Sequence, residues 1–237
     1  MAKLKTEWEQ LDDIKVAFWQ HGSGNDLVLL HGNSGSKITF RQYQLEHFAD
    51  HHTFALDSRG HGQSKSKDDL LTYEQQSIDV INFCKARGMT NVSVIGYSDG
   101  GILGLWLAVK APEIFTKIVA ISPNTVASAS TEGSMQFIEK TLKTMKFFRK
   151  FRLPLKKQIM RFNLMLTDSG ISDEDLKKVK TSVMIVYAEK DMITEEHIQH
   201  IAGLIPGCRL EKVMECTHMS IPYQDETIRI MQEYLKP

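Results

Sequence analysis

The stretch Gly96-Tyr97-Ser98-Asp99-Gly100-Gly101 decides how the chain reads. It follows an apolar run, Val92-Ser93-Val94-Ile95, and precedes a strongly apolar segment, Gly100 to Lys110, that stops before Pro112. That is G-x-S-x-G between an expected strand and an expected helix, the setting that gives the pattern its meaning. A sharp turn there projects the serine hydroxyl above a sheet. Side chains two residues to either side would collide, so glycines stand at both places. The helix that begins at the serine turns its backbone N–H groups and the positive end of its dipole toward the hydroxyl.

Working outward, short unalternating apolar runs recur: Leu27–Leu30, Thr53–Leu56, Lys117–Ile121 and Val183–Tyr187. Such runs suit strands covered on both faces. Arg209–Met214 alternates and suits a strand buried on one face. Helical spacing runs through Tyr73–Ala86, Thr194–Leu204 and Ile221–Leu235. The alternation predicts an α/β fold with a mostly parallel sheet. Between about 125 and 180 it breaks down into two or three amphipathic helices, interrupted at Pro154 and Thr167-Asp168-Ser169-Gly170. That insertion has the look of a lid over one edge of the sheet. The expected organisation is a single domain, 1–237, with a cap insertion at about 125–180.

Composition narrows the class. The chain has 237 residues, with 29 Lys plus Arg against 29 Asp plus Glu. A balanced charge argues against a surface built for nucleic acid. Three cysteines are too few for a disulfide framework, and no ligand cluster suggests a metal or an organic cofactor. The N-terminus lacks the apolar core of a signal peptide, and no apolar stretch reaches membrane-spanning length. A cytoplasmic protein is expected.

A serine hydroxyl needs a base, and the base needs an orienting carboxylate. On this architecture the chain order is Ser, then Asp or Glu, then His. Asp191 stands in the loop beyond the fifth run, and His218 in the loop beyond the sixth. The other histidines after Ser98, His197 and His200, fall inside an expected helix. Glu189 is the near rival to Asp191, and Asp57 a weaker one. Two backbone N–H groups should meet the oxyanion: Asp99, directly after the serine, and Asn33, in the turn His31-Gly32-Asn33-Ser34-Gly35.

Leu30-His31-Gly32-Asn33, Asp57-Ser58-Arg59-Gly60-His61-Gly62-Gln63-Ser64, the Ser98 turn, and Asp191 with His218 together resemble the α/β-hydrolase fold superfamily over essentially the whole chain. The resemblance implies a sheet of about eight mostly parallel strands flanked by helices, with a helical cap at about 125–180. It implies a structural and pocket-rim role for the Asp57–Gly62 turn. Gly-Tyr-Ser-Asp-Gly-Gly is similar to the elbow of biphenyl-hydrolase-like esterases that cleave amino-acid esters. In those, the Asp beside the nucleophile helps receive a substrate amino group, which nominates Asp99, with Tyr97 beside it, for substrate binding.

The expected activity is hydrolysis of a small carboxylic ester, or of a thioester or amide, through an acyl-serine. C–C bond hydrolysis and perhydrolysis are alternatives on the same triad. A small-molecule receptor that keeps the fold is the alternative of another class. Lys140 to Arg161 carries nine Lys or Arg and no Asp or Glu, interleaved with Phe147, Phe148, Phe151, Leu153, Leu155 and Ile159. Such a segment suits an acyl or anionic substrate or a membrane surface, or is simply a lid with a solvated basic face.

Overall fold

A computed structural model describes residues 4–236. Nine strands form one sheet: β1 (Glu7–Gln10), β2 (Ile14–His21), β3 (Asp26–Leu30), β4 (His52–Leu56), β5 (Lys65–Ser66), β6 (Val92–Tyr97), β7 (Phe115–Ile121), β8 (Ser182–Lys190) and β9 (Arg209–Thr217). The order is β1-β2-β4-β3-β6-β7-β8-β9, and the short β5 pairs with β2. Every pairing from β4 through β9 is parallel, while β2 pairs antiparallel with β1, β4 and β5.

The expected runs fall in the parallel part. Alternate residues of the buried strands feed two cores: Val28 and Leu30 pack on one face, Leu27 and Leu29 on the other. The first face is covered by α1 (Tyr73–Ala86), α2 (Asp99–Lys110) and α6 (Glu195–Leu204). The second is covered by Phe40, Tyr43, Phe48 and α7 (Asp225–Leu235).

Two features depart from expectation. The hairpin β1–β2 precedes the first expected strand. Its charged Glu7, Glu9 and Lys15 interrupt any apolar run, and β1 is half-exposed at the sheet edge. The helix expected from Ile221 splits instead. Ile221–Tyr223 is a single 3-10 turn carrying Pro222, Gln224 is extended, and only then does α7 begin. Asp225 and Glu226 fall in the first turn of α7, where the helix dipole favours acids, and the helix starts there.

Between β7 and β8 lie α3 (Glu132–Arg149), α4 (Lys156–Leu164) and α5 (Asp173–Leu176). The root of this segment is tied shut. Ser169 N–H donates to Thr125 O at 2.8 Å, and Ala127 N–H to Asp168 Oδ1 at 2.9 Å. Trp106 Nε1–H from α2 reaches Ser169 O at 2.9 Å. At α4, the Arg161 guanidinium donates twice to Gly60 O, at 2.9 and 2.7 Å.

In the Asp57–Gly62 turn, Asp57, Arg59 and His61 are buried. Asp57 accepts from Lys37 N–H (2.7 Å), Lys37 Nζ (2.6 Å) and Gln63 N–H (2.8 Å). His31 lies alongside, accepting Ser58 N–H on Nε2 and donating from Nδ1 to Gly32 O. Burial lowers its pKa, which fits that neutral tautomer.

Candidate active site

The parallel register brings the strand ends together. Leu30 pairs with Gly96, Tyr97 with Ile121, and Ile121 with Val186. The residues that follow, His31, Ser98 and Ser122, therefore emerge side by side, at the carboxyl edge where open α/β sheets gather their sites.

Ser98 has φ +54° and ψ −116°, a conformation that L-residues rarely adopt. Its N–H is held by Ile121 O at 2.8 Å, and its own carbonyl accepts from Gly101 and Ile102 at the start of α2. The flanking glycines are sterically required. A Cβ on Gly96 would stand 2.0 Å from Gly100 O, and one on Gly100 would stand 2.0 Å from Leu30 O. On the opposite side, a Cβ on Gly32 would be 3.0 Å from Ser98 Cβ.

Ser98 Oγ lies 3.0 Å from His218 Nε2, and His218 Nδ1 lies 2.6 Å from Asp191 Oδ1. A break in the β8–β9 ladder makes that second contact. Ala188 pairs with Val213 but Lys190 pairs with Thr217, so β9 spends two more residues than β8 over the interval. Glu215 takes up the slack at φ +55° and donates its N–H to Glu189 Oε2 at 3.0 Å. The next residue on each strand is then Asp191 or His218. Of the two rival carboxylates, Glu189 is spent on the Glu215 N–H and Asp57 on Lys37.

The Asp191 side chain is buried, which by itself opposes its charge. Hydrogen bonds from His218, from Ser122 Oγ (2.5 Å to Oδ2) and from Ala188 N–H (3.0 Å) outweigh that and hold its pKa below the ordinary carboxylate value. An ionised carboxylate only accepts, so the proton of neutral His218 sits on Nδ1 and Nε2 is free to accept from Ser98. Ser122 is a member of this constellation that sequence reading passes over. It stands at the end of a strand at φ +51°, and nothing in Ser122-Pro123-Asn124 reveals where its hydroxyl points.

Tyr97 packs its ring against His218 at 5.3 Å and donates its hydroxyl to His218 O at 3.0 Å. Asp99 is 8% exposed. Its carboxylate accepts from Asn33 Nδ2 (2.9 Å) and from Tyr73 OH (3.3 Å). Burial raises its pKa to about 6 against the pull of those donors and of His218. Asn33 Nδ2 also donates to Arg161 O at 2.9 Å. As the first residue of α2, Asp99 has a backbone N–H with no partner within the helix. His197 and His200 stay on α6: His197 Nε2 accepts Thr125 N–H, and His200 faces Asp173.

These residues meet a cavity of about 580 Å³. Its floor includes Asn33, Ser98, Asp99, Tyr97 and His218. Its walls are mostly apolar, with Phe137 and Ile138 from α3, Phe162 from α4, and Met165, Met192, Ile193 and Met219, while Asn124, Ser130 and Ser134 add polar groups. The Asp57–Gly62 turn does not line it, contrary to a pocket-rim role. Among the described residues no group of three or more His, Cys, Asp or Glu side chains is arranged to hold a metal ion. No helix among them is long and apolar enough to cross a membrane.

Comparison with known proteins places the chain in a family. Human serine hydrolase BPHL is 27% identical over 95% of this chain and 84% of its own length. Among solved structures, the carboxylesterase CesB of Bacillus subtilis superposes with a TM-score of 0.78 at 18% identity, covering 99% of this chain and 92% of that one. The enol-lactonase of Burkholderia xenovorans LB400 superposes equally well, at 0.78 and 17% identity over 97% and 99%. The similarity to curated hydrolases indicates a hydrolase. The family model for the alpha/beta hydrolase fold matches residues 26–158, more than half of the sequence, and the chain belongs to that family.

Proposed function

We propose that the protein hydrolyses a carboxylic ester, or a thioester or amide, of a small molecule, with Ser98, His218 and Asp191 as its catalytic triad. The observation that carries this is the hydrogen-bonded line from Ser98 Oγ through both His218 nitrogens to Asp191, on the floor of an apolar cavity. His218 Nε2 takes the hydroxyl proton as Ser98 Oγ attacks the carbonyl carbon. The N–H groups of Asn33 and Asp99 receive the oxyanion. Asp191 holds the ring in its working tautomer and stabilises the imidazolium. His218 then gives its proton to the leaving alcohol, and an acyl-Ser98 remains. Water enters, His218 removes a proton from it, and the acid departs with the serine hydroxyl restored. Residues 125–180 act as the cap over this cavity within a single domain. Met and Phe walls suit an acyl or aromatic group.

A second reading concerns the alcohol or acyl group bound. The Asp99 carboxylate is buried, borders the cavity and has no cationic partner among the described residues. It would receive the ammonium of an amino-acid ester, with Tyr97 fixing the His218 loop beside it.

The test is a p-nitrophenyl ester series of increasing acyl length, with an amino-acid ester added, run on the protein and on Ser98→Ala. The expected outcome is turnover that Ser98→Ala abolishes, with an optimum that sizes the pocket. If no ester is turned over faster than by Ser98→Ala, the ester reading falls. Weight then moves to a narrow C–C hydrolase or to a binding protein.

A further inference from the structure

Nine consecutive residues at the turn joining α3 to α4, Lys146 to Pro154, are exposed. Four are large and apolar: Phe147 (54% exposed), Phe148 (46%), Phe151 (67%) and Leu153 (47%). They are not scattered. The Phe147 ring packs edge-on against Phe148 at 5.6 Å and against Phe151 at 5.5 Å, so the rings form one patch on the surface. The inward face of α3 does not need them. Its buried residues are Ile138 and Leu142, both earlier in the helix.

Charge beside the patch is mostly positive, with Glu139 as the one acid in the groove that Phe147 shares with Lys143, Lys146 and Lys150. Of the nine cations between Lys140 and Arg161, Lys156 pairs with Asp69 and Arg161 is spent on Gly60 O. The others make no ion pair among the described residues. A solvated basic helix face explains the cations but leaves three aromatic rings in water. A polyanion without exposed apolar or aromatic groups, such as polyglutamate or duplex DNA, meets the cations but not the rings. An anionic lipid surface meets both: aromatic rings settle at the headgroup boundary while Lys and Arg reach lipid phosphates and carboxylates.

We infer that the α3–α4 turn is a docking surface for an anionic membrane, with Phe147, Phe148 and Phe151 entering the interface and the flanking cations, Arg149, Lys150 and Arg152 foremost, holding the headgroups. The surface does not depend on the esterase reading, because binding is read without turnover.

The test is co-sedimentation of the whole chain with vesicles of phosphatidylcholine alone and of phosphatidylcholine and phosphatidylserine in equal parts. Binding to the phosphatidylserine vesicles only, weakening as salt is raised, is expected. Each cation lost should weaken partitioning about fivefold, so Arg149→Gln, Lys150→Gln and Arg152→Gln together should weaken it about a hundredfold. Phe148→Ser with Phe151→Ser should weaken it as well, with the salt dependence kept. Thermal unfolding of each variant checks that the fold is intact. Two results would overturn the inference. One is no association with phosphatidylserine vesicles at low salt. The other is binding that the phenylalanine variant leaves unchanged while polyglutamate or duplex DNA competes fully, which would make the patch a general polyanion surface.

Discussion

Replacing Asp99 by Asn separates the two things its carboxylate does. The group accepts from Asn33 and Tyr73 while buried beside the nucleophile, and its pKa rises from an ordinary 3.8 to about 6. The sign of the linkage follows. Below the unfolded value both states hold the proton and the group contributes no pH dependence. Between the two values the unfolded chain has released its proton while the folded chain keeps it, so stability falls as pH rises. Above about 6 the loss is complete. Roughly two pKa units correspond to about 3 kcal/mol. An amide at this position does not titrate, and its groups can be satisfied: Oδ1 accepts from Asn33 and Nδ2 donates to the Tyr73 hydroxyl. Asp99→Asn should therefore gain on the parent by about 3 kcal/mol between about pH 4 and about pH 7. Urea unfolding of both proteins across that range measures the gap. A gap that stays constant with pH refutes the account of a buried, destabilising charge. Kinetics supplies the second half. A carboxylate that receives a substrate ammonium should lose its preference for an amino-acid ester in Asp99→Asn, with plain acyl esters little affected. A widening stability gap with preference intact would leave Asp99 a burial cost without a substrate role.

Glycine substitutions test the close approaches at the serine turn. In α2, Gly100→Ala should gain about 0.5–1 kcal/mol by helix propensity, yet a Cβ there meets Leu30 O at 2.0 Å. A net loss above about 3 kcal/mol is expected, while Gly133→Ala, with nothing within 4 Å, should gain up to about 1 kcal/mol. Thermal unfolding reads both, and a Gly100→Ala protein as stable as the parent would sink the steric argument. Lys37→Met leaves the buried Asp57 carboxylate with only the two backbone donors, Lys37 N–H and Gln63 N–H, and should cost about 3–5 kcal/mol in urea unfolding. A loss under about 1 kcal/mol would mean that those two donors satisfy it.

Much of this arrangement is legible one residue at a time because its constraints are local. A serine between two glycines, after a buried strand and before an apolar helix, admits few other conformations. Unalternating runs such as Val183–Tyr187 declare strands covered on both faces. Asp191 and His218 are found by chain order and by their places beyond strand ends. What stays hidden depends on register or on side-chain direction. The two-residue bulge at Glu215 sets the 2.6 Å contact between His218 and Asp191, and no spacing rule foretells it. Ser122 reaches Asp191, and Asn33 and Tyr73 reach Asp99, through contacts 69, 66 and 26 residues apart. The β1–β2 hairpin escapes for another reason. Edge strands carry charge to discourage further pairing, which erases the apolar pattern that would reveal them.

The tied root of the segment between β7 and β8 has a consequence for how such a molecule can change. Ser169 and Asp168 return to Thr125 and Ala127, so the chain above that junction leaves and re-enters the body at one place, with a further tie between Ala129–Thr131 and Met192–Thr194. Closing a loop grows costly only slowly with its length, about 0.6 kcal/mol for each doubling. The outer part of the segment, α3 and the turn after it, can therefore be lengthened or shortened at little cost, whereas α4 is bound to the body through Arg161, Asn33 and the buried Leu164. Ser98, Asp191 and His218 all stand on that body, outside the exchangeable part. Under the proposed function, new specificities could be tried in modular fashion on an unchanged engine, and a chimera joined at these four residues is where such an experiment would begin.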